Sequence, residues 1–176
     1  MISIQKYLLS LSIVATLSVA GCAERGHLSA PIAGSQVTPL ELRDYQTEKF
    51  DTNDVALVMK VLFDVLRDEG FVVSTFNKEL GMISASKITH FNKKPEAKLA
   101  FSDLGLTLKP ERNISLECTA TVAQFGGGCK ARIGFQVQTL RSSGKAKNTA
   151  VVESPQYYRR FFGKLQKGLF LENQNL

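Results

Sequence analysis

The sequence predicts an α+β fold in which an antiparallel sheet carries one helix from each end of the domain, an arrangement of the helix-grip kind. Apolar and polar residues alternate over 114–122 and 131–139, and this period of two is typical of half-buried strands. Over 55–66 and 158–169 the apolar residues recur at spacings of three and four, which indicates amphipathic helices. Because neither a helix nor a sheet can bury its apolar face alone, we expect the helices to pack on the sheet.

The first 21 residues have the pattern of a signal peptide. Lys6 precedes an apolar stretch over 7–20, which is too short to cross a bilayer because a spanning helix needs about 20 apolar residues. The motif Val-Ala-Gly-Cys that follows at 19–22 resembles the lipobox of bacterial lipoproteins. The resemblance implies cleavage before Cys22 and lipidation of that cysteine with diacylglycerol and a further fatty acid such as palmitate. With Ala23 next, it also implies sorting to the outer membrane, where the domain would face the periplasm.

Residues 22–46 are predicted to form a flexible tether after the lipidated cysteine. Glycine and proline recur there without a sustained apolar period, so the folded domain is expected over 47–172. His27 and His90 stand apart from acids and from cysteines, and the sequence therefore indicates no metal site and no cofactor. The net charge of +6 is a mild excess that does not favour nucleic acid as a partner.

The first half of the domain predicts a helix followed by a hairpin. The helix is expected over 52–69, with Asp51 or Thr52 as its N-cap and Gly70 where the C-terminal cap belongs. The hairpin is then expected to comprise strand 71–76, turn 77–81 and strand 82–88.

The second half predicts further strands and a closing helix. Residues 88–113 stay without an assignment apart from a short helix over 95–103. A third short strand is expected over 149–153, after the two alternating segments. The closing helix is expected to begin with Ser154 at its N-cap and Pro155 at its first position.

Several segments of the domain together resemble a family of Gram-negative outer-membrane lipoproteins. They fall within 46–172, with a loose match over 87–113, and are Gln46 to Thr52, Leu66 to Phe71, Leu80-Gly81, Ala85 to Lys87, Tyr158 to Leu165 and Phe170 to Glu172. More distantly, the helix followed by a hairpin whose turn ends in Leu-Gly resembles the helix-grip domains of BamC-like outer-membrane-protein assembly lipoproteins. The resemblances concern the fold and supply no catalytic residues.

No set of residues predicts catalysis, and we expect a protein that is not an enzyme. The three glycines at 126–128 join two strands and lack the Lys-Ser/Thr pair of a phosphate loop, so a hairpin turn is expected there. Asp103, Glu111 and Glu117 cannot be placed opposite one another as a carboxylate pair, and no serine lies in a nucleophile elbow.

Four basic residues of the closing helix are the candidate contact site. Arg160, Lys164 and Lys167 follow at spacings of four and three, which places them on one stripe, with Arg159 near its edge. Such a stripe offers a surface for lipid phosphate, lipopolysaccharide or an acidic partner, and an ordinary solvated helix face is the alternative.

The two cysteines of the domain form an even pair once Cys22 carries lipid. In an oxidising periplasm such a pair predicts a disulfide between Cys118 and Cys129. A simple turn at the glycines would instead place Cys118 opposite Phe135 and Cys129 opposite Gln124, too far apart for a bond. The disulfide therefore requires a wide loop or a bulge beside the glycines.

Two functions agree with these features. The anchor, the tether, the small domain and the lack of catalytic residues favour a non-enzymatic accessory or assembly module that binds an envelope protein within an exporter, a secretion system or the outer-membrane assembly complex. The alternative is a lipoprotein that binds lipid or envelope glycan, with the basic stripe as its contact.

Overall fold

A computed structural model describes residues 37–106, 109–141 and 143–174, and over these residues the chain has the expected α+β fold. The predicted signal peptide, Cys22, His27 and most of the predicted tether lie outside the described residues. The elements, in chain order, are α1 (Pro39–Tyr45), β1 (Thr47–Phe50), α2 (Val55–Asp68), β2 (Val72–Asn77), β3 (Met82–His90), α3 (Lys94–Asp103), β4 (Asn113–Phe125), β5 (Gly128–Leu140), β6 (Ala146–Val151) and α4 (Pro155–Gln174).

The six strands form one antiparallel sheet. Their order is β1-β5-β4-β3-β2, and β6 also pairs with β5. β1 pairs with residues 129–132 of β5 and β6 with residues 136–140, so these two short strands follow one another along the same edge of β5. β2 forms the opposite edge of the sheet, where a bulge between Val73 and Thr75 interrupts its pairing with β3.

The core lies between one face of the sheet and the helices. Alternate side chains of β4 and β5 are buried there, as the period of two predicts, and Phe135 and Ile133 are among the largest. The apolar stripes predicted for the first and last helices are buried in α2 and α4 and complete the core. Phe101 of α3 is also fully buried in this core. One helix from each end of the domain therefore packs on the sheet, which confirms the predicted fold class.

The ends of the long helices follow from their caps. α2 begins after Asp54, whose carboxylate accepts a hydrogen bond from the N–H of Leu57 at 2.9 Å, so the predicted caps Asp51 and Thr52 are wrong. Gly70, at φ +82°, follows the helix as predicted. Ser154 is the N-cap predicted for α4, because its hydroxyl accepts from the N–H of Tyr157 at 3.2 Å.

Helix α1 shows that the predicted tether, 22–46, extends too far. Thr38 and Glu41 form a capping box, in which the Thr38 hydroxyl accepts from the Glu41 N–H and the Glu41 carboxylate accepts from the Thr38 N–H. Leu42 and Tyr45 of this helix pack against the core, and Gln46 is buried. The folded domain therefore begins near Thr38.

Three shorter elements agree with the sequence-based predictions to different degrees. β1 was not predicted, since its four residues are too few to show a period. α3 lies where the short helix over 95–103 was expected. β6 begins three residues before the strand predicted over 149–153 and ends at Val151.

Candidate functional site

The face of the sheet turned away from the core carries the candidate site. The described helices pack on the other face, and a groove of about 440 Å³ lies on this uncovered face. Cross-strand pairing arranges residues of this face in three rows, all of which except Ser86 line the groove: Met82–Thr121–Arg132, Ser84–Thr119–Gly134 and Ser86–Glu117–Gln136. Hydroxyl and amide groups of these rows stand beside apolar surface, so the groove can donate and accept hydrogen bonds and can also bury apolar groups.

The two charged side chains of the groove are engaged by neighbouring amides. The carboxylate of Glu117 accepts a hydrogen bond from Nε2 of Gln136 at 2.6 Å. Arg132 donates from Nη2 to Oε1 of Gln46 at 3.5 Å, at the other end of the groove. The two charged groups thus belong to separate hydrogen-bonded pairs and do not form an acid–base couple.

A buried tyrosine closes the gap between β1 and β6 behind the groove. The Tyr158 hydroxyl accepts from the N–H of Phe135 at 3.3 Å and from Nε2 of Gln46 at 3.2 Å, and it donates to the carbonyl of Val152 at 3.1 Å. Burial raises the pKa of Tyr158, which keeps this hydroxyl protonated. The network holds the edge of β5 where it has no strand beside it.

The basic stripe predicted on the closing helix is partly neutralised. Arg160 makes an ion pair of 2.5 Å with Asp103 of α3, and Lys164 pairs with Glu69 at the end of α2. Arg159 and Lys167 are exposed and make no ion pair with the described residues. Two of the four cations therefore join α4 to neighbouring elements. Fewer cations of the stripe are free to bind a ligand than the sequence predicts.

The other residues considered from the sequence lie apart from one another. Glu111 pairs with Lys147 at 2.8 Å, and the hydrogen bond from this lysine holds the pKa of Glu111 below its usual value. His90 is exposed, with Nδ1 2.8 Å from the side-chain oxygen of Asn113. Gly126 and Gly127 form the predicted hairpin turn. Among the described residues, no three His, Cys, Asp or Glu side chains are placed to hold a metal ion.

The predicted disulfide between Cys118 and Cys129 is wrong. The tight glycine turn sets the simple register, with Cys118 opposite Phe135 and Cys129 opposite Gln124, so the two cysteines are about 20 Å apart along the hairpin. Both thiols are free and buried. Burial raises the pKa of Cys118 to about 12 and also raises that of Cys129, so both thiols are protonated at neutral pH.

A group of cations on the uncovered face was not predicted from the sequence. Lys49 lies directly opposite Lys130, and Arg132 is two residues farther along β5, on the same face. We call Lys49, Lys130 and Arg132 the basic cluster. The alternation of β5 places Lys130 and Arg132 on its polar face, but Lys49 joins them through a strand pair that spans about eighty residues of sequence and has no local signal.

Comparisons with protein families and with curated proteins supply no relative from which to infer a function. No protein-family model matches the chain, and no curated protein matches it. Within the described part of the chain, no helix combines the length and the apolar character that crossing a bilayer requires. The features that bear on function are therefore the motif at 19–22, the uncovered face and the basic cluster.

Proposed function

We propose that the protein is an outer-membrane lipoprotein whose periplasmic domain is a non-enzymatic accessory or assembly module of an envelope complex. The observation that carries the proposal is the lipobox-like motif at 19–22, which directly follows an apolar stretch of signal-peptide length. Acyl chains on Cys22 would hold the domain at the membrane, because each buried methylene contributes about 0.8 kcal/mol.

The short segment between the predicted anchor and the domain supports a function close to the membrane. The folded part begins near Thr38, and a chain extends by at most about 3.5 Å per residue. The segment between Cys22 and Thr38 therefore reaches no more than about 55 Å. A partner must therefore contact a domain whose first residue stays within this distance of the membrane.

The uncovered face supports a role in binding a protein. Its hydroxyl and amide groups suit a partner surface that exchanges hydrogen bonds, and the helices leave this face free over the described residues. Burial raises the pKa of Cys118, Tyr157 and Tyr158 and keeps all three protonated, which argues against their use as nucleophiles. These properties favour an interaction module.

The second candidate function is binding of lipid or envelope glycan. Hydroxyl and amide groups within the largely apolar lining of the groove can exchange hydrogen bonds with a glycan, whose hydroxyl groups need both donors and acceptors. The basic stripe supports this function less than expected, because Arg160 and Lys164 are occupied by acidic side chains.

Capture of the lipidated protein in detergent after cross-linking in cells tests the two functions. We expect a stoichiometric protein partner, lost when Thr119→Arg places a bulky charge in the centre of the uncovered face. Ser102→Arg is the control: it adds the same charge at an exposed position of α3, and this variant should still capture the partner. Recovery of lipid or glycan without protein would favour the second function, and equal capture by both variants would exclude the uncovered face.

A further inference from the structure

The basic cluster is an unneutralised concentration of charge at one end of the uncovered face. Like charges directly opposite in a sheet destabilise it, yet Lys49 faces Lys130 in register. No member of the cluster makes an ion pair with any described residue. Elsewhere in the described chain some cations make ion pairs and others do not, so the feature that distinguishes the cluster is the direct register of Lys49 with Lys130.

The acids nearest in sequence to Lys49 form no ion pair with the cluster. Glu48 lies on the opposite face of β1, where its carboxylate accepts from Nε2 of Gln166 at 3.1 Å. Asp51 follows β1 and makes no ion pair within the described chain. The positive charge of the cluster is therefore available to an external anion.

An exposed aromatic ring stands among these charges. Phe125 is the last residue of β4, next to the glycine turn, and 47% of its surface is exposed. Nζ of Lys130 lies 4.2 Å and Nζ of Lys49 5.0 Å from the centre of its ring. The hairpin tip thus presents an apolar ring between ammonium groups, a combination that suits the interface of a bilayer with phosphate-bearing headgroups.

We propose that the basic cluster and Phe125 form a contact site for the phosphate groups of an anionic lipid surface, with the hairpin tip laid against the bilayer. The lysines would bind phosphates while the ring enters the headgroup layer. This inference rests on the proposed membrane anchor, which would keep the site at a high local concentration of lipid.

The position of the cluster agrees with such a contact. The chain enters the domain at Thr38, and α1 and β1 separate this point from Lys49 by no more than about 25 Å. With the reach of the preceding segment, an anchored domain can turn the hairpin tip onto the membrane. An acidic protein could also bind the cations, and binding to polyglutamate without binding to anionic vesicles is the outcome that would favour it.

Binding to lipid vesicles tests this site. The protein used is the mature chain from residue 22, with Cys22→Ser so that no acyl chain contributes to binding. We expect binding to vesicles of phosphatidylethanolamine and phosphatidylglycerol that weakens with salt, and none to vesicles of phosphatidylcholine alone. Replacing two lysines, Lys49→Gln with Lys130→Gln, should weaken binding about thirtyfold at low salt. Phe125→Ser should also weaken it.

The matched control removes the same charge elsewhere. Lys98 and Lys145 are exposed, lie away from the hairpin tip and make no ion pair with described residues, so Lys98→Gln with Lys145→Gln should weaken binding by less than about threefold. Equal losses in the two double variants would overturn the site. It would also be overturned by failure to bind the anionic vesicles, by displacement with millimolar inorganic phosphate at constant ionic strength, or by binding to polyglutamate alone. None of these results depends on lipidation or on a protein partner, so they are distinguishable from failure of the proposed function.

Discussion

Tyr158 shows how one side chain can replace a missing strand. At the junction of β1 and β6, the N–H of Phe135 has no strand partner and donates to the Tyr158 hydroxyl, which in turn donates to the carbonyl of Val152. A buried N–H without a partner costs about 1 to 3 kcal/mol, so this hydroxyl supports both the core and the groove in front of it.

Tyr158→Phe should lower the free energy of unfolding by about 2 to 4 kcal/mol, because it leaves the Phe135 N–H and the Val152 carbonyl unpaired. Urea denaturation measures the change. Tyr157→Phe is the control, since the Tyr157 hydroxyl makes no hydrogen bond with the described chain, and it should cost less than about 1 kcal/mol. Equal losses would show that the hydroxyl network does not support the edge of β5.

The two buried cysteines should behave as free, protected thiols. In the native protein at neutral pH neither Cys118 nor Cys129 should react with an alkylating reagent, because both are buried and protonated. In denaturant without reductant, mass spectrometry should find both alkylated. An unalkylated species two mass units lighter, recovered under those conditions, would show that the disulfide forms after all.

At the scale of elements, length decides what the sequence can predict. α2, α4, β4 and β5 contain enough residues to repeat their apolar period, and the glycine turn also sets the register of β4 with β5. α1 has only seven residues, with Leu42 and Tyr45 as its partly buried apolar contacts. The sequence feature that indicates α1 is the capping box of Thr38 and Glu41. This feature is visible in the sequence, but no apolar period accompanies it.

The buried stripe of α4 gives a test of this element. Phe161 is 4% exposed and its ring lies 5.0 Å from that of Phe135, so Phe161→Ala should lower the free energy of unfolding by about 3 to 5 kcal/mol. Phe170→Ala, on the same helix but 62% exposed, should cost less than about 1 kcal/mol. Chemical denaturation compares the two, and a similar cost for both would mean that α4 buries a different face.

At the scale of the whole molecule, tertiary contacts decide which charges are free. The sequence places Arg160 and Lys164 on one stripe, but the acids that pair with them, Asp103 and Glu69, come from α3 and from the end of α2. No local pattern joins residues so far apart. For the same reason the basic cluster became visible only when β1 was placed beside β5.

The two faces of the sheet divide the described part of the molecule into a stabilising side and a side that its helices leave uncovered. Helices and core occupy one face, whereas the other holds the groove at its centre and the basic cluster at one end. A protein partner at the groove and lipid phosphates at the cluster would occupy neighbouring parts of the same surface. Anchoring at Cys22 would therefore serve to hold this surface near both.

Acylation at Cys22 is the step on which this arrangement depends, and Cys22→Ser tests it in the whole protein. In a Gram-negative host supplied with a palmitate analogue, the variant should lose the label and accumulate as an uncleaved precursor, because the Cys22 thiol is the proposed point of lipid attachment. Cys118→Ala removes a thiol that is buried in the core, and it should retain both labelling and cleavage. Unchanged labelling and processing of the Cys22→Ser protein would exclude a lipid anchor at this cysteine, and with it a domain that works within reach of the membrane.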